Sequence, residues 1–557
     1  MSSSPPEQAR LRIAVFAGPT ATILNTPDLV TSNKARARHG LPLQPSRFDQ
    51  LRPQRLAAPV TVYVEAFSAH PLEKDRAALY GPPDGWLDEQ KNFHQEKPEG
   101  PSTPVFVVDL DPEDGLYPLP YMARQADGSA WEETAAVPLA GPEQHRQTFL
   151  PDAVWLYEAI ERFGVTDMGT PVALGSVADF EFFRAAPSAG PTTGPEAEVA
   201  GRDFFAYYPY HQQSEPALSN LAHATNLVQA ALSGGDFDGA QWLEGSPTID
   251  ETLYWLSLVI DTTKPIVGHA AQRRHGSLSG DGDRNVVDGV KYLAAGVSLA
   301  EDGTDQVGGV VIVDELAYTA RDVTKVDARP GGYEVAGGHG GIVADLGGYG
   351  PPQLTFLPAR RHTHRSQLRL PELPEQVDGV SGSLEGQVRS VQVTTKDSAG
   401  LVPEAMPLVT YTKYGRYAST LSGDDGTSAT PQEEVELFAR IGANLANAPL
   451  SGFVCEGMSP FAMAEPTKNA ALRIATFAGM PVVRVGRGNT GGMAYRTEPI
   501  FISGNNLTAT KARILLMAAI LKLGALPPAK DPFAPTQEER AATTTTVSKY
   551  QELFDTH

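Results

Sequence analysis

A chain of 557 residues has room for roughly two to four domains, and its 41% hydrophobic content supports packed cores rather than a disordered polymer. With 45 basic against 66 acidic residues the formal charge is −21, which argues against nucleic acid and anionic membrane as partners. The single cysteine, Cys455, excludes an intrachain disulfide.

No cysteine and histidine set has zinc-site spacing. No run reaches the ~18 apolar residues of a membrane span. Met1–Arg10 is polar and resembles no signal peptide, so a cytoplasmic location is expected.

In chain order, Leu11–Ala17 (LRIAVFA) is a short apolar run ending in Gly18-Pro19-Thr20, which predicts a buried strand of a parallel sheet and then a turn. Residues from about 41 to 205 mix short strand-like runs with Pro/Gly-rich stretches and read as an insertion. Regularity then begins. A helix is expected over Leu218–Leu232, a strand over Ala240–Leu243, a helix over Thr248–Val259 and a strand over Pro265–Ala270. A helix over Asn285–Ala295 and a strand over Gly308–Val313 follow. This alternation predicts an α/β fold with mainly parallel sheets.

Residues 366–405 are mostly polar and read as a linker. The Arg360–Arg365 cluster is a candidate to bind an acidic ligand, with the solvated start of that linker as the favoured reading. A second α/β pattern runs over 406–530, with strands at Leu408–Tyr411, Gly452–Cys455 and Pro481–Val485 and helices at Glu433–Leu445, Thr467–Phe477 and Thr510–Leu523. The tail, 531–557, is expected to be mobile up to a short last helix. The larger first domain is taken as 1–365.

Ligands of open parallel sheets bind beyond the carboxyl ends of the strands. Three groups fall near such ends: Thr20, Ser246 and Lys325. A threonine hydroxyl needs a base to become a nucleophile. A lysine amine in a desolvated cleft can serve as that base, and a serine hydroxyl between them can relay the proton. Backbone N–H groups after Gly18 and at the helix start near Ser246 can hold an oxyanion.

The motifs around these groups raise their weight. Val15–Ala21 (VFAGPTA), Glu244–Thr252 (EGSPTIDET), Lys264–Ala270 (KPIVGHA), Ser279–Gly282 with Asn285, and Ala320–Lys325 (ARDVTK) stand in one order along the chain. Pro481–Arg484 and Leu507–Leu516 follow. In that order they resemble the type I/II L-asparaginase family. The resemblance implies an asparaginase-like pair of α/β domains and an amidohydrolase with Thr20 as nucleophile, supported by Ser246 and Lys325. It implies substrate-binding places at Ser214 and Glu215 and at Glu244 and Pro247. It implies no cofactor and no metal, a small-molecule amide as partner, and a homodimer or homotetramer.

The departures bear on specificity. Pro247 stands where the family has an aspartate that binds the substrate's ammonium and supports the lysine, and proline has neither charge nor donor. Glu244 replaces a histidine, no tyrosine occurs before Tyr63 to match the flap residue, and Glu456–Pro460 replaces a Gly/Asn-rich loop. Free asparagine is therefore expected to be a poor substrate. The insertion's Tyr117, Tyr121, Trp131, Trp155, Tyr207, Tyr208 and Tyr210 are candidates to line a pocket for an apolar or cyclic amide, or to pack the insertion's own core. The rival readings are L-asparaginase itself, a non-catalytic ligand-binding protein on the same scaffold, and an amidotransferase subunit acting on transfer RNA, which the acidic charge disfavours. Gly331–Gly350 lacks the Lys-Ser/Thr of a phosphate loop, so nucleotide binding is not expected.

Overall fold

The computed structural model describes residues 13–17, 54–55, 60–65, 85–88, 92–110, 116–117, 218–235, 237–244, 246, 248–272, 281–328, 331–335, 340–347, 351–413, 430–488 and 493–557. Thr20, Ser214, Glu215, Pro247 and most of the expected insertion lie outside these residues.

Among the described residues, the first sheet has seven strands. β1 (Ile13–Ala17), β2 (Gly239–Leu243), β3 (Ile266–His269) and β4 (Val310–Val313) run parallel and adjacent. Described side chains of β2 to β4 are almost all buried, as expected of parallel strands covered on both faces. β5 (Leu316–Thr319) turns back antiparallel on β4 through Asp314 and Glu315, which both take positive φ. β6 (Val323–Lys325) and β7 (Tyr333–Val335) form a separate antiparallel ribbon. β8 (Ile342–Asp345) and β9 (Gln353–Leu354) complete the first sheet beyond β5.

Among the described residues, three helices cover this sheet: α1 (Leu218–Ser233), α2 (Ile249–Val259) and α3 (Gly282–Ala295). α2 carries Asp250 and Glu251 in its first turn, where negative charge favours the helix dipole. α3 approaches β3 closely at Gly289, where a Cβ would lie 2.2 Å from the His269 ring. Upstream, Val60–Glu65, Ser102–Leu110, Gly85–Asp88 and Phe93–His94 form a four-stranded antiparallel sheet in that order.

The second main sheet is parallel: β12 (Leu408–Lys413), β13 (Ser451–Gly457), β14 (Val482–Gly486) and β15 (Ile502–Ser503). α4 (Val435–Asn447), α5 (Pro466–Phe477) and α6 (Ala509–Leu523) flank it. Buried residues of α2 and α6, Leu253, Leu256, Ile514 and Leu515 among them, belong to one hydrophobic core that extends from the first sheet into the second. The expected α/β alternation is present in both halves.

Three sequence expectations are corrected. Residues 366–405, read as a polar linker, have secondary structure and core residues of their own. β10 (Gln376–Gly382) and β11 (Val388–Thr394) form a hairpin, and Leu368, Leu370, Leu373, Val377 and Leu401 enter the core. The Asn226 side chain both donates to Leu401 O (2.9 Å) and accepts from Leu401 N (2.8 Å). One face of the hairpin is wet, so its average composition is polar although its inner positions are apolar.

The tail is also ordered. α7 (Gln537–Thr556) starts with a capping box between Thr536 and Glu539. It buries Val547, Tyr550, Leu553 and Phe554 at helical spacing. The threonine run hid this helix, yet Thr544, Thr545 and Thr546 turn their hydroxyls back to carbonyls four residues earlier.

The third correction concerns Arg360–Arg365. His362 is buried, stacked on the His557 ring at 5.5 Å and edge-on to Tyr254 at 5.7 Å. Burial holds its imidazole well below the ordinary range, so the ring is neutral. No described helix is long and apolar enough to cross a membrane.

Candidate active site

The register of the parallel strands sets the site. Ala17 pairs with Leu243, and Leu243 with His269, so the three strands end at one level. Ser246 lies three residues beyond Leu243 and Gln272 three residues beyond His269. Both loops therefore leave the carboxyl edge together, where crevices of such sheets form.

Their side chains meet there. Ser246 Oγ donates to Gln272 Oε1 at 3.4 Å and accepts from the Tyr333 hydroxyl at 3.1 Å. Lys325 Nζ donates a short hydrogen bond to the same Gln272 oxygen. Lys325 and Tyr333 are directly opposite in the β6–β7 ribbon, so their side chains share a face, and the ammonium lies 5.3 Å from the Tyr333 ring centre. Burial pushes the Tyr333 phenol up, and the bond to Ser246 only partly offsets this. Tyr333 thus stays protonated and acts as a donor.

The backbone beneath is pinned. Both carboxylate oxygens of Asp281 accept from Gln272 N, at 2.9 and 3.0 Å. Asn285 on α3 donates to Ala270 O at 2.7 Å and to Asp281 at 3.3 Å, while its oxygen accepts from Asp314 N at 3.2 Å. The Asp281 and Asn285 positions, singled out in the sequence, hold the loop that carries Gln272.

Glu244, expected at the substrate, has its carboxylate turned into the protein. It is 4% exposed. One carboxylate oxygen accepts from Trp242 Nε1 at 2.7 Å and the other from Thr248 Oγ1 at 2.7 Å. Its main-chain N–H bonds to His269 O at 3.0 Å. Burial raises its carboxyl from 4.5 to about 7, against the lowering effect of the Trp242 and Thr248 bonds. Trp242 at the strand end offers a donor that an inward-turned Glu244 satisfies, so the side chain faces the core beneath the Ser246 loop.

The Lys325 segment is anchored from the second half of the chain. Lys511 of α6 is buried and donates to Ala320 O (2.7 Å) and to Asp250 O. Its ammonium also pairs with the Asp250 carboxylate at 3.3 Å. Arg321 donates to His557 O (2.6 Å), to Asn506 (2.8 Å) and to Asp322 (2.6 Å). α6 and α7 therefore grip both the start of α2, just after Ser246, and the approach to Lys325.

Of the residues expected at the site, the structure brings Ser246 and Lys325 together through Gln272 and sets Glu244 beneath them. Thr20, Ser214, Glu215 and Pro247 lie outside the described residues. Gln272 and Tyr333 went unnoticed in the sequence. The signals for them were a polar residue just past a parallel strand end and a lone tyrosine in the glycine-rich ribbon after Lys325. Among the described residues no cluster of three or more His, Cys, Asp or Glu is placed to hold a metal.

These features define an α/β protein whose polar side chains converge on the carboxyl edge of a parallel sheet. Residues 212–330 match the family model for the asparaginase N-terminal domain. The chain is 28% identical to the L-asparaginase of Bacillus licheniformis over 228 residues, covering 39% of this chain and 66% of that protein. It is 28% identical over 182 residues to the glutaminase-asparaginase of Pseudomonas fluorescens biotype A, covering 32% and 48%. The similarity thus spans about half to two thirds of the length of these relatives. Among solved structures, a probable cytoplasmic L-asparaginase from Campylobacter jejuni aligns at a TM-score of 0.45 and 17% identity, covering 73% of this chain and 92% of that one. Over residues 212–330 the chain is thus similar to the N-terminal part of asparaginases.

Proposed function

We propose that this chain is an amidohydrolase that cleaves a non-peptide carbon–nitrogen bond through an acyl ester on Thr20, with a substrate other than free asparagine. The observation that carries the proposal is the convergence of Ser246, Lys325, Gln272 and Tyr333 at the carboxyl edge of the first sheet. Thr20 follows Ala17 by the same three residues that separate Ser246 from Leu243 and Gln272 from His269. The names of the relatives, L-asparaginase and glutaminase-asparaginase, are consistent with amide chemistry.

In this reading the Thr20 hydroxyl attacks the amide carbonyl carbon. Its proton passes by way of Ser246 to the amine of Lys325. Backbone N–H groups after Gly18 and at the start of α2 hold the oxyanion. As the carbon–nitrogen bond breaks, the leaving nitrogen takes that proton. Water then attacks the ester, gives a proton to the same base, and releases the acid and Thr20. Lys325 suits the role because one acceptor, Gln272 Oε1, holds its amine beside Ser246.

Pro247 in place of a carboxylate removes the group that would pair with a substrate ammonium. An unpaired charge in a closed site is costly, so the favoured substrates are amides without an α-ammonium, including cyclic or apolar ones. A role for Ser214 and Glu215 at the substrate, a cytoplasmic location and assembly as a homodimer or homotetramer belong to the same reading.

The test is a panel of amides, lactams and imides assayed for release of ammonia or amine. The wild-type chain is expected to turn over at least one of them faster than asparagine, and Thr20→Ala to abolish that turnover with unchanged thermal unfolding. Full activity in Thr20→Ala would remove the assignment. Binding without turnover across the panel would favour a ligand-binding protein.

A further inference from the structure

We propose that Gln272 is a positioning residue that takes over the holding of the catalytic lysine, the task that Pro247 cannot perform. The inference rests on the amidohydrolase reading above.

The geometry is specific. Lys325 Nζ and Ser246 Oγ both donate to Gln272 Oε1. Toward the charged form of Lys325, which only donates, the amide turns its oxygen, with its nitrogen away. Gln272 Nε2 is buried beside the Tyr333 hydroxyl and, among the described residues, has no well-aligned hydrogen-bond partner. Leaving a buried donor unsatisfied is unfavourable. The side chain keeps this arrangement because its oxygen serves the lysine and the serine at once. Its main chain cannot drift either, since Asp281 accepts from Gln272 N through both carboxylate oxygens.

The residue type has a chemical consequence. A carboxylate in this place would favour the charged form of the lysine, whereas a neutral amide holds the amine without adding a negative charge. Gln272 therefore orients Lys325 without adding a negative charge that would strengthen its hold on the proton it must lose before it can act as a base. Among the described residues, the titratable groups near this pair include Tyr333 across the ribbon, Glu244, Asp250 at the start of α2 and Asp281 behind Gln272.

The experiment compares wild type, Gln272→Glu and Gln272→Met in the full-length protein with two readouts. The first is the pH dependence of kcat and KM on whichever amide the panel identifies. The second is the pH dependence of Lys325 acetylation by isotopically labelled acetic anhydride, read by peptide mass spectrometry, which needs no turnover. Gln272→Met is expected to lower kcat about 100-fold with KM changed less than about 3-fold, the signature of a displaced catalytic group. Gln272→Glu, nearly the same shape, is expected to move both the acid limb of kcat and the Lys325 labelling midpoint up by at least about one pH unit.

Gln272→Met with kcat within about 2-fold of wild type, or a Lys325 midpoint unmoved by Gln272→Glu, overturns the proposal even where amide hydrolysis is established. If Gln272→Met does not fold, the Gln272→Glu result decides alone. A labelling midpoint that moves in a protein that hydrolyses nothing would keep the positioning role and discard the enzymatic reading.

Discussion

The two sides of one helix start are built on opposite electrostatic principles. Toward the sheet edge, the segment Glu244–Thr248 presents groups that are neutral or nearly so: Ser246, Thr248 and a Glu244 whose carboxyl is raised to about 7. Toward the second half of the chain, Asp250 and Glu251 meet Lys511 at 3.3 Å and Arg513 at 3.4 Å. Only a few residues separate the two environments. The difference teaches that full charge is used where it fixes one half of the molecule to the other, and is kept low at the carboxyl edge of the first sheet.

The charged side is the costlier one to break. Lys511 is 1% exposed and satisfies Asp250 and two main-chain oxygens. Lys511→Met leaves the Asp250 carboxylate buried without its partner, a loss of about 3–5 kcal/mol for such pairs. Urea unfolding should register it, and adding Asp250→Asn should recover part of the loss. Equal stability of Lys511→Met and wild type would show that this contact is not an anchor.

The neutral side is read through pH. Glu244 has a carboxyl at about 7 in the folded chain against an ordinary 4.5. Between these values the folded chain holds a proton that the unfolded chain has lost. Stability from this group is therefore full below pH 4.5 and falls as pH rises toward 7, by about 3 kcal/mol in all. Glu244→Gln imitates the protonated acid, accepting from Trp242 and donating to Thr248. Its unfolding free energy should lose this decline between pH 4.5 and 7, so the curves of variant and wild type diverge with pH. Parallel curves would mean that Glu244 is ionised throughout.

The same contrast explains what the sequence made legible. Ser246 and Lys325 stand in short motifs whose order is visible along the chain. The strands and helices of both halves follow from apolar runs and helical spacing, as at Ile249–Val259 and Ala509–Leu523. Gln272 could not be found that way, because its role arises from the shared register of β2 and β3, which places two three-residue offsets side by side. Tyr333 depends on the pairing Lys325↔Tyr333 across a glycine-rich turn. Lys511 reaches Asp250 over 261 positions of chain, a relation no local pattern encodes. Glu244 was visible as a residue but not as a direction, since only the neighbouring Trp242 donor decides that it turns inward.

The central claim is that Thr20 carries the acyl group. Rapid mixing of the enzyme with its best amide, followed by acid quench and intact and peptide mass spectrometry, tests it most directly. The account predicts a transient adduct with the mass of the substrate's acyl moiety on the peptide containing Thr20, absent in Thr20→Ala and longer-lived in Gln272→Met. Turnover without any such adduct under single-turnover conditions, or an adduct mapped to Ser246 or Lys325, would contradict it.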